Sequence, residues 1–296
     1  MNFSQKCAGP TLTLDANRRR LERAADTLRR RGPPAIRCAV GTVRSRHDPA
    51  SSPVRRGSRL ALPRARRRRG TIATWLCDRV GVDGEVVVTE VDTRFLDTLR
   101  HPALEVRRHD AGRDPLPDRP FDLIHTRLVL NHLPERDSIL EKLAGALKPG
   151  GWLVAEEFDS ASAPPDPAAY PGEVLLKTYA AIPRALAGRG VDRRYGRLLF
   201  GRFRDLGLAS VGAEARTFMV HGGSPGSALV RATCERLRQD MIDAGDVSDQ
   251  QFDDDMARLD DPDFLMPSAA LWAVWGRRLQ SRNSLESGVN SMKLRA

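Results

Sequence analysis

The sequence has few of the residues that build disulfide frameworks, metal centres or membrane spans. Its 4 Cys stand far apart, at positions 7, 38, 77 and 234, with no Cys-x-x-Cys and no His/Cys pairing, so neither disulfides nor a zinc site are predicted. No apolar run approaches the roughly 18 residues that cross a bilayer, and the N-terminus lacks the apolar stretch of a secretory signal. We therefore expect a cytoplasmic protein without a membrane span.

Aromatic residues are also scarce, at 5% of the chain, and residues 32–70 contain none. The net charge of +10 is unevenly spread, because residues 1–70 hold 18 Arg and one Lys against four acids, a balance of +15, whereas the remainder carries −5. An Arg-rich segment without aromatic side chains offers only non-specific attraction to phosphates and no platform for stacking bases. A nucleic-acid partner is therefore not expected from the charge alone.

Composition and the positions of proline and glycine divide the chain into three parts. Residues 1–70 form a basic Arg/Pro-rich segment, with a predicted helix over 15–31 and loop or disorder over 32–70, where five prolines interrupt any period. Residues 71–279 have the composition of a folded domain, and residues 280–296 form a polar tail. The boundary at residue 70 is abrupt.

Strand and helix patterns alternate after residue 70. Helices are predicted over 71–80, 93–100, 135–147, 173–187, 195–206, 226–244 and 248–259, and strands over 85–90, 103–107, 121–125, 152–156, 208–220 and 270–275. The alternation predicts an α/β fold with a doubly wound, mostly parallel sheet and added C-terminal helices. Ligands of such sheets bind beyond the carboxyl ends of the strands.

Polar residues stand where the predicted strands end. Glu90 ends the second, Asp110 follows the third, and His125-Thr126-Arg127 with Asn131-His132 follow the fourth. A carboxylate at such a position can accept hydrogen bonds from ribose hydroxyls or a purine amino group, although each acid could equally cap a helix or close a turn. The acid run from Asp253 to Asp255 lacks the spacing of a calcium loop and is interpreted as a solvated face, so no metal is predicted.

The segments EVVVTEVD, RRHDAG, FDLIHTRLVLNHLPERD and LKPGGWLVAEEFD occur in this order and resemble the class I S-adenosylmethionine-dependent methyltransferases, above all the small-molecule and quinone types. The resemblance covers residues 71–278 and is most specific over 120–154. It implies a Rossmann-like fold, S-adenosyl-L-methionine as cofactor, and methyl transfer to a small-molecule O, N or C acceptor. The chain does not indicate which acceptor or which oligomeric state.

Carried over position by position, the resemblance implies that Glu90 with Val91 binds the ribose, Asp110 with Ala111 the adenine, and Thr126 with Arg127 the edge of the donor pocket. Gly70 is implied as a further cofactor contact. If the acceptor needs a general base, His125 and His132 are the candidates, since an unperturbed imidazole titrates near neutral pH. The competing interpretation of His132 is a helix-start residue that bonds the backbone.

The sequence departs from this family at one place. The family carries its first strand and a Gly-rich loop directly before the helix that corresponds to 71–80, whereas residues 59–70 here read RLALPRARRRRG, in which only Gly70 remains. Three interpretations stay open. Part of 32–69 is read out of frame, or the segment is a targeting peptide, or it is a genuine basic segment. In the last case the chain is a catalytically impaired methyltransferase-like protein that binds nucleic acid or an acidic partner.

Overall fold

The computed structural model of the 296-residue protein describes residues 37–41, 71–80, 83–96, 99–116, 120–162 and 176–279. The predicted helix over 15–31, Gly70, the loop beyond residue 162 and the polar tail lie outside these residues. Within the described part of the chain, no helix is long and apolar enough to cross a membrane.

The described helices and strands follow the predicted alternation. The helices are α1 (Thr71–Val80), α2 (Arg136–Gly145), α3 (Leu176–Gly188), α4 (Tyr195–Asp205), α5 (Pro225–Asp243) and α6 (Asp249–Arg258), with short 3-10 helices at Thr93–Phe95 and Leu130–His132. The strands are β1 (Arg37–Gly41), β2 (Glu85–Glu90), β3 (Leu104–Arg108), β4 (Phe121–Arg127), β5 (Leu147–Asp159), β6 (Ala209–Arg216), β7 (Met219–His221), β8 (Leu265–Pro267) and β9 (Ala270–Arg277).

Seven of these strands form one sheet in the order β3-β2-β1-β4-β5-β9-β6. Strands β1 to β5 pair in parallel, and β9 runs antiparallel between β5 and β6. The order reverses between β1 and β4, which makes this the switch point where open α/β sheets bind ligands. The predicted doubly wound, mostly parallel sheet is confirmed.

The face of the sheet covered by α1 shows why the local sequence folds as it does. Ala73, Leu76, Cys77 and Val80 recur at helical spacing and are buried together against Val86 and Val88 of β2. A Cβ on Gly84 would lie 2.3 Å from the Val80 Cβ, so only glycine allows the tight connection from α1 into β2.

The opposite face packs against α2 and α4, whose Ile139, Leu140, Leu199 and Phe203 form the largest core with apolar residues of β4, β5 and β9. A further core lies outside the large sheet, where α3, α5 and α6 pack with the two-stranded antiparallel sheet of β7 and β8. Helices α5 and α6 lie between the last two strands of the large sheet in the chain.

The prediction of loop or disorder across 32–70 is wrong at Arg37–Gly41, which form β1 at the centre of the sheet. The strand holds only three apolar residues in a row, which is too few to show the periodicity of a helix or a strand. Its backbone pairs with β2 on one side and β4 on the other, and this non-local pairing is invisible to a local pattern.

Three predicted bounds also change. The helix over 93–100 shrinks to the 3-10 turn Thr93–Phe95, which Asp92 caps by accepting the Arg94 N–H. Helix α2 ends at Gly145 and β5 begins at Leu147, because a register shift against β4 takes the Lys-Pro-Gly-Gly run into the strand. The strand over 208–220 divides into β6 and β7, which belong to different sheets.

Candidate functional site

The parallel strands bring their polar ends to one edge of the large sheet. Gly41 at the end of β1 lies opposite both Thr89 and Thr126, and Arg127 at the end of β4 lies opposite Glu156. Glu90 at the end of β2 lies opposite Arg108 of β3. Predicted residues from three separate segments therefore lie along this edge, which we call the carboxyl edge.

An open cleft of about 590 Å³ lies at the β2 and β3 end of the carboxyl edge. Its described lining comprises Val91, Arg108, His109, Asp110, Arg113 and Asp114. Two of the predicted cofactor residues, Val91 and Asp110, thus lie in the same cleft. Its mixture of acids and arginines suits a polar ligand with both donors and acceptors.

Glu90 and Asp110 each also make a local hydrogen bond. Glu90 is 9% exposed, and its Oε1 accepts the N–H of Val91 at 3.0 Å. Asp110 Oδ1 accepts the N–H of Gly112 at 3.0 Å. This hydrogen bond closes a turn, as the alternative interpretation of Asp110 predicted.

Thr126 and Ala111 border a smaller cavity of about 40 Å³ beneath the carboxyl edge, on the α2 side of the sheet. Thr89, Ile124 and Ile139 contribute to its lining. The Thr126 side chain is buried, and its Oγ1 has no hydrogen-bond partner among the described residues. Thr126 and Arg127 therefore face different surroundings, since Arg127 is partly exposed and its Nε lies 3.8 Å from Glu156 Oε2.

His125 does not lie in the open cleft. Its side chain is 1% exposed, and its Nε2 lies 2.8 Å from Oε1 of the equally buried Glu156. A carboxylate only accepts hydrogen bonds, so this contact assigns the Nε2 proton to His125. The other ring nitrogen, Nδ1, has no partner among the described residues.

His132 lies in the 3-10 helix Leu130–His132 after β4. Burial, with Arg236 and Arg136 nearby, lowers the pKa of His132 to about 4. The imidazole is therefore neutral at pH 7, and its basicity is far below the value near 6.5 that the sequence argument assumed. This environment disfavours His132 as a general base at neutral pH.

Glu157, the residue after Glu156 on β5, was not among the predicted site residues. Its Oε1 accepts the N–H groups of Val129 at 2.8 Å and Leu130 at 2.7 Å, in the turn that follows β4. The signal that could have found it is a pair of adjacent acids that ends an otherwise apolar strand in WLVAEEFD. Acids that end a buried strand need a partner or a ligand.

Unpartnered buried polar atoms concentrate at the carboxyl edge. Five of the ten such atoms in the described part of the chain belong to this edge, namely His109 Nδ1, His125 Nδ1, Thr126 Oγ1, Asn131 Oδ1 and Glu157 Oε2. Native interiors rarely leave polar atoms without a partner, so a cluster of them marks a place where a ligand or water completes the hydrogen bonding. This edge is therefore the candidate functional site.

The described residues contain no group of three or more His, Cys, Asp or Glu side chains that could hold a metal ion. The interpretation of the acid run as a solvated face is wrong for Asp255, which is buried and accepts the Thr178 hydroxyl at 2.5 Å. Asp253, by contrast, lies at the surface and pairs with Arg238.

Comparison with known proteins gives an independent view of this site. Residues 68–155, which include β2 to β4 and most of β5, match the family model of a methyltransferase domain. The chain is 37% identical over 79 residues to methyltransferase str2 of Strobilurus tenacellus, which covers 27% of this chain and 28% of the relative.

It is also 33% identical over 104 residues to the ubiquinone/menaquinone biosynthesis C-methyltransferase UbiE of Laribacter hongkongensis, covering 33% of this chain and 43% of that one. The chain thus spans less than half the length of these two relatives. A solved phosphoethanolamine N-methyltransferase 2 of Haemonchus contortus superposes with a TM-score of 0.46 at 13% identity, over 88% of this chain and 53% of that one.

The matched segment contains Glu90, Asp110, Thr126 and Arg127, and it begins three residues before α1. Over residues 68–155, the chain is thus similar to methyltransferase domains and, in part, to the C-methyltransferase UbiE.

Proposed function

We propose that the protein binds S-adenosyl-L-methionine at the carboxyl edge and transfers its methyl group to a small-molecule acceptor. The observation that carries the proposal is the clustering of unpartnered buried polar atoms at this edge, beside an open cleft. The family match over residues 68–155 supports the same cofactor. The names of relatives, which include a quinone-pathway C-methyltransferase, support a small acceptor.

The residues present fit the adenosine part of this cofactor. Glu90 would accept hydrogen bonds from the ribose hydroxyls with Val91 beside it, and Asp110 with Ala111 would contact the adenine. Val91 and Asp110 line a cleft of about 590 Å³, which is within the usual range of small-molecule sites. Thr126 and Arg127 would form the edge of the pocket toward the reacting group.

The methionine part would lie near the start of α1, where the family has its Gly-rich loop. Gly70 is the residue proposed to remain from that loop, at the position before α1 begins. The backbone N–H groups of a helix N-terminus favour a carboxylate, so α1 itself can contribute to holding this part.

Methyl transfer depends more on the alignment of donor and acceptor than on reactive side chains of the protein. When bound, S-adenosylmethionine supplies an electrophilic methyl group for in-line displacement. The chain then has to align donor and acceptor and to keep water out, which can lower the barrier by as much as about 7–11 kcal/mol in well-oriented reactions. The buried character of Thr126, His125 and Glu156 gives the edge a floor from which water is excluded.

A base is required only if the acceptor is a hydroxyl, an acidic carbon or a protonated amine. Of the two candidate histidines, the proposal keeps His125, because Glu156 orients its ring and leaves Nδ1 without a partner among the described residues. Its burial means that any proton transfer would occur out of contact with bulk water.

Calorimetric titration of S-adenosylhomocysteine into the wild-type chain and a Glu90→Ala variant tests the proposal. We expect binding by wild type and at least about tenfold weaker binding by Glu90→Ala, because a charged acceptor contributes about 1.5–3 kcal/mol per hydrogen bond. Glu85→Ala is the matched control, since Glu85 begins the same strand at the opposite edge of the sheet.

Two results would contradict the proposal. Failure of the folded wild-type chain to bind S-adenosylhomocysteine would refute methyl transfer and favour the alternative of an impaired protein that acts through its basic residues 1–70. Equal affinities of Glu90→Ala and Glu85→Ala would refute the assignment of Glu90 to the ribose.

A further inference from the structure

The turn after β4 adopts an unusual backbone. Leu128 has a φ of 54°, in the left-handed region that side chains other than Gly and Asn rarely adopt. The next residue, Val129, has a φ of −121° and a ψ of −56°, outside the regular helix and strand regions. Such strained conformations persist only where the surroundings impose them.

Hydrogen bonds from the turn to strand β5 impose this conformation. The Leu128 N–H donates to the backbone oxygen of Glu156 at 2.8 Å. The next two N–H groups, those of Val129 and Leu130, both donate to Oε1 of Glu157. Three successive amides of the turn are thus held by two consecutive residues of β5, and a single carboxylate oxygen holds two of them.

The location of Glu157 is costly for a carboxylate. Its side chain is 0% exposed, and Oε2 has no hydrogen-bond partner among the described residues. Burial is the main cause that raises the pKa of Glu157 to about 7, while hydrogen bonds from the turn amides act in the opposite direction. A buried acid with one unsatisfied oxygen contributes little to stability, so stability alone does not explain a carboxyl group at this position.

Helix α4 closes over the same residue. A Cβ on Gly196 would lie 2.6 Å from the backbone oxygen of Glu157, so the start of α4 and β5 are in close backbone contact. The buried Tyr195 beside Gly196 donates its hydroxyl to Asp137 of α2 at 3.1 Å. Glu157 therefore lies between the turn and a tightly packed helix.

We propose that Glu157 is a positioning residue whose carboxylate clamps the turn after β4, and so fixes Thr126, Arg127 and Asn131 at the carboxyl edge. The inference rests on the proposed function for what these residues bind. The clamp itself depends only on the contacts between β5 and the turn. Because Thr126 and Arg127 directly precede Leu128, release of the turn changes the position of both relative to Glu90 and Asp110.

Hydrogen–deuterium exchange of peptides that contain residues 128–131 tests the clamp without any ligand. We expect Glu157→Ala to accelerate exchange there by at least about tenfold, since the two hydrogen bonds accepted by Glu157 Oε1 are lost. Glu157→Gln keeps an acceptor oxygen and should stay within about threefold of wild type. Glu214→Ala, at a strand acid of β6 paired with Arg216, is the matched control.

A purely structural role predicts a different pattern. If Glu157→Ala accelerates exchange in the buried residues of α5 as much as in the turn, or leaves the turn unchanged, the clamp is refuted. Should Glu157→Ala fail to fold by circular dichroism, Glu157→Met takes its place, because Met fills the volume but accepts no such hydrogen bonds.

Titration with S-adenosylhomocysteine then links the clamp to the site. We expect Glu157→Ala to weaken binding by about tenfold and Glu157→Gln to restore most of the affinity. A faster-exchanging turn with unchanged affinity would refute the positioning role. Absence of binding by the wild-type chain would refute the proposed function instead, while the exchange result would still decide whether the clamp exists.

Discussion

The titration of Glu157 should be visible in the stability of the whole protein. In the folded state the pKa of Glu157 is raised to about 7, first by burial, and the adjacent Glu156 contributes in the same direction. In the unfolded chain the pKa returns to its ordinary value of 4.5. The unfolded state therefore releases the Glu157 proton at a lower pH than the folded state does.

The sign of the effect follows from linkage. Below pH 4.5 Glu157 is protonated in both states, and the favourable protonated form contributes fully to stability. Between pH 4.5 and 7 the unfolded state ionises while the folded state does not, so the free energy of unfolding falls. The difference between the two pKa values corresponds to a loss of about 3 kcal/mol, complete above pH 7.

Urea denaturation followed by circular dichroism at pH 4.5, 5.5, 6.5 and 7.5 measures this loss against a Glu157→Gln variant. The Gln side chain does not titrate, and groups such as His132 titrate in both proteins and cancel in the difference. We expect the stability of wild type relative to Glu157→Gln to fall by about 3 kcal/mol across this range. A difference that stays constant within about 1 kcal/mol would refute the reasoning that Glu157 is buried and protonated near neutral pH.

Two further predictions concern buried contacts within the fold. Gly196→Ala should lower the free energy of unfolding by about 1–3 kcal/mol in thermal or urea denaturation, because its Cβ would meet the Glu157 backbone oxygen. Gly201→Ala, in the same helix with open space around the new Cβ, should instead be neutral or stabilising by up to about 1 kcal/mol, and equal effects of the two changes would contradict the close contact. Thr178→Val should destabilise the protein by about 1–3 kcal/mol, since it removes the buried hydrogen bond to Asp255. Thr178→Ser keeps the hydroxyl and should retain most of that stability; an equal loss in both variants would show that the methyl group and not the hydrogen bond matters.

Local sequence patterns predicted those helices and strands whose complete hydrophobic pattern lies within one short segment. The bounds of α1 and β2 agree with the structure, because a four-residue buried stripe and a run of three valines are complete signals within one segment. The strand ends that carry Glu90, Asp110, Thr126 and Arg127 followed from the same reasoning. Parallel strands place their ends at one edge, so the sequence alone predicted where a site would lie.

The roles of buried polar residues could not be predicted in this way. His125 was predicted as a candidate base at a strand end; β4 continues two residues beyond it, and its buried side chain borders the small cavity and contacts Glu156. Glu157 was not predicted because its partners, the amides of Val129 and Leu130, are 27 or more residues away in the chain. Which polar group meets which is decided by the register between β4 and β5.

The sequence by itself determined the class of fold and predicted which edge of the sheet carries the candidate site, since both depend on patterns within short segments. Only the tertiary structure decided that Arg37–Gly41 fills the centre of the sheet and that a buried carboxylate holds the turn beside the site. The physical reason is common to both. Each depends on backbone groups that pair across the sheet, and neither a three-residue apolar run nor an isolated acid carries enough local information to specify its partner.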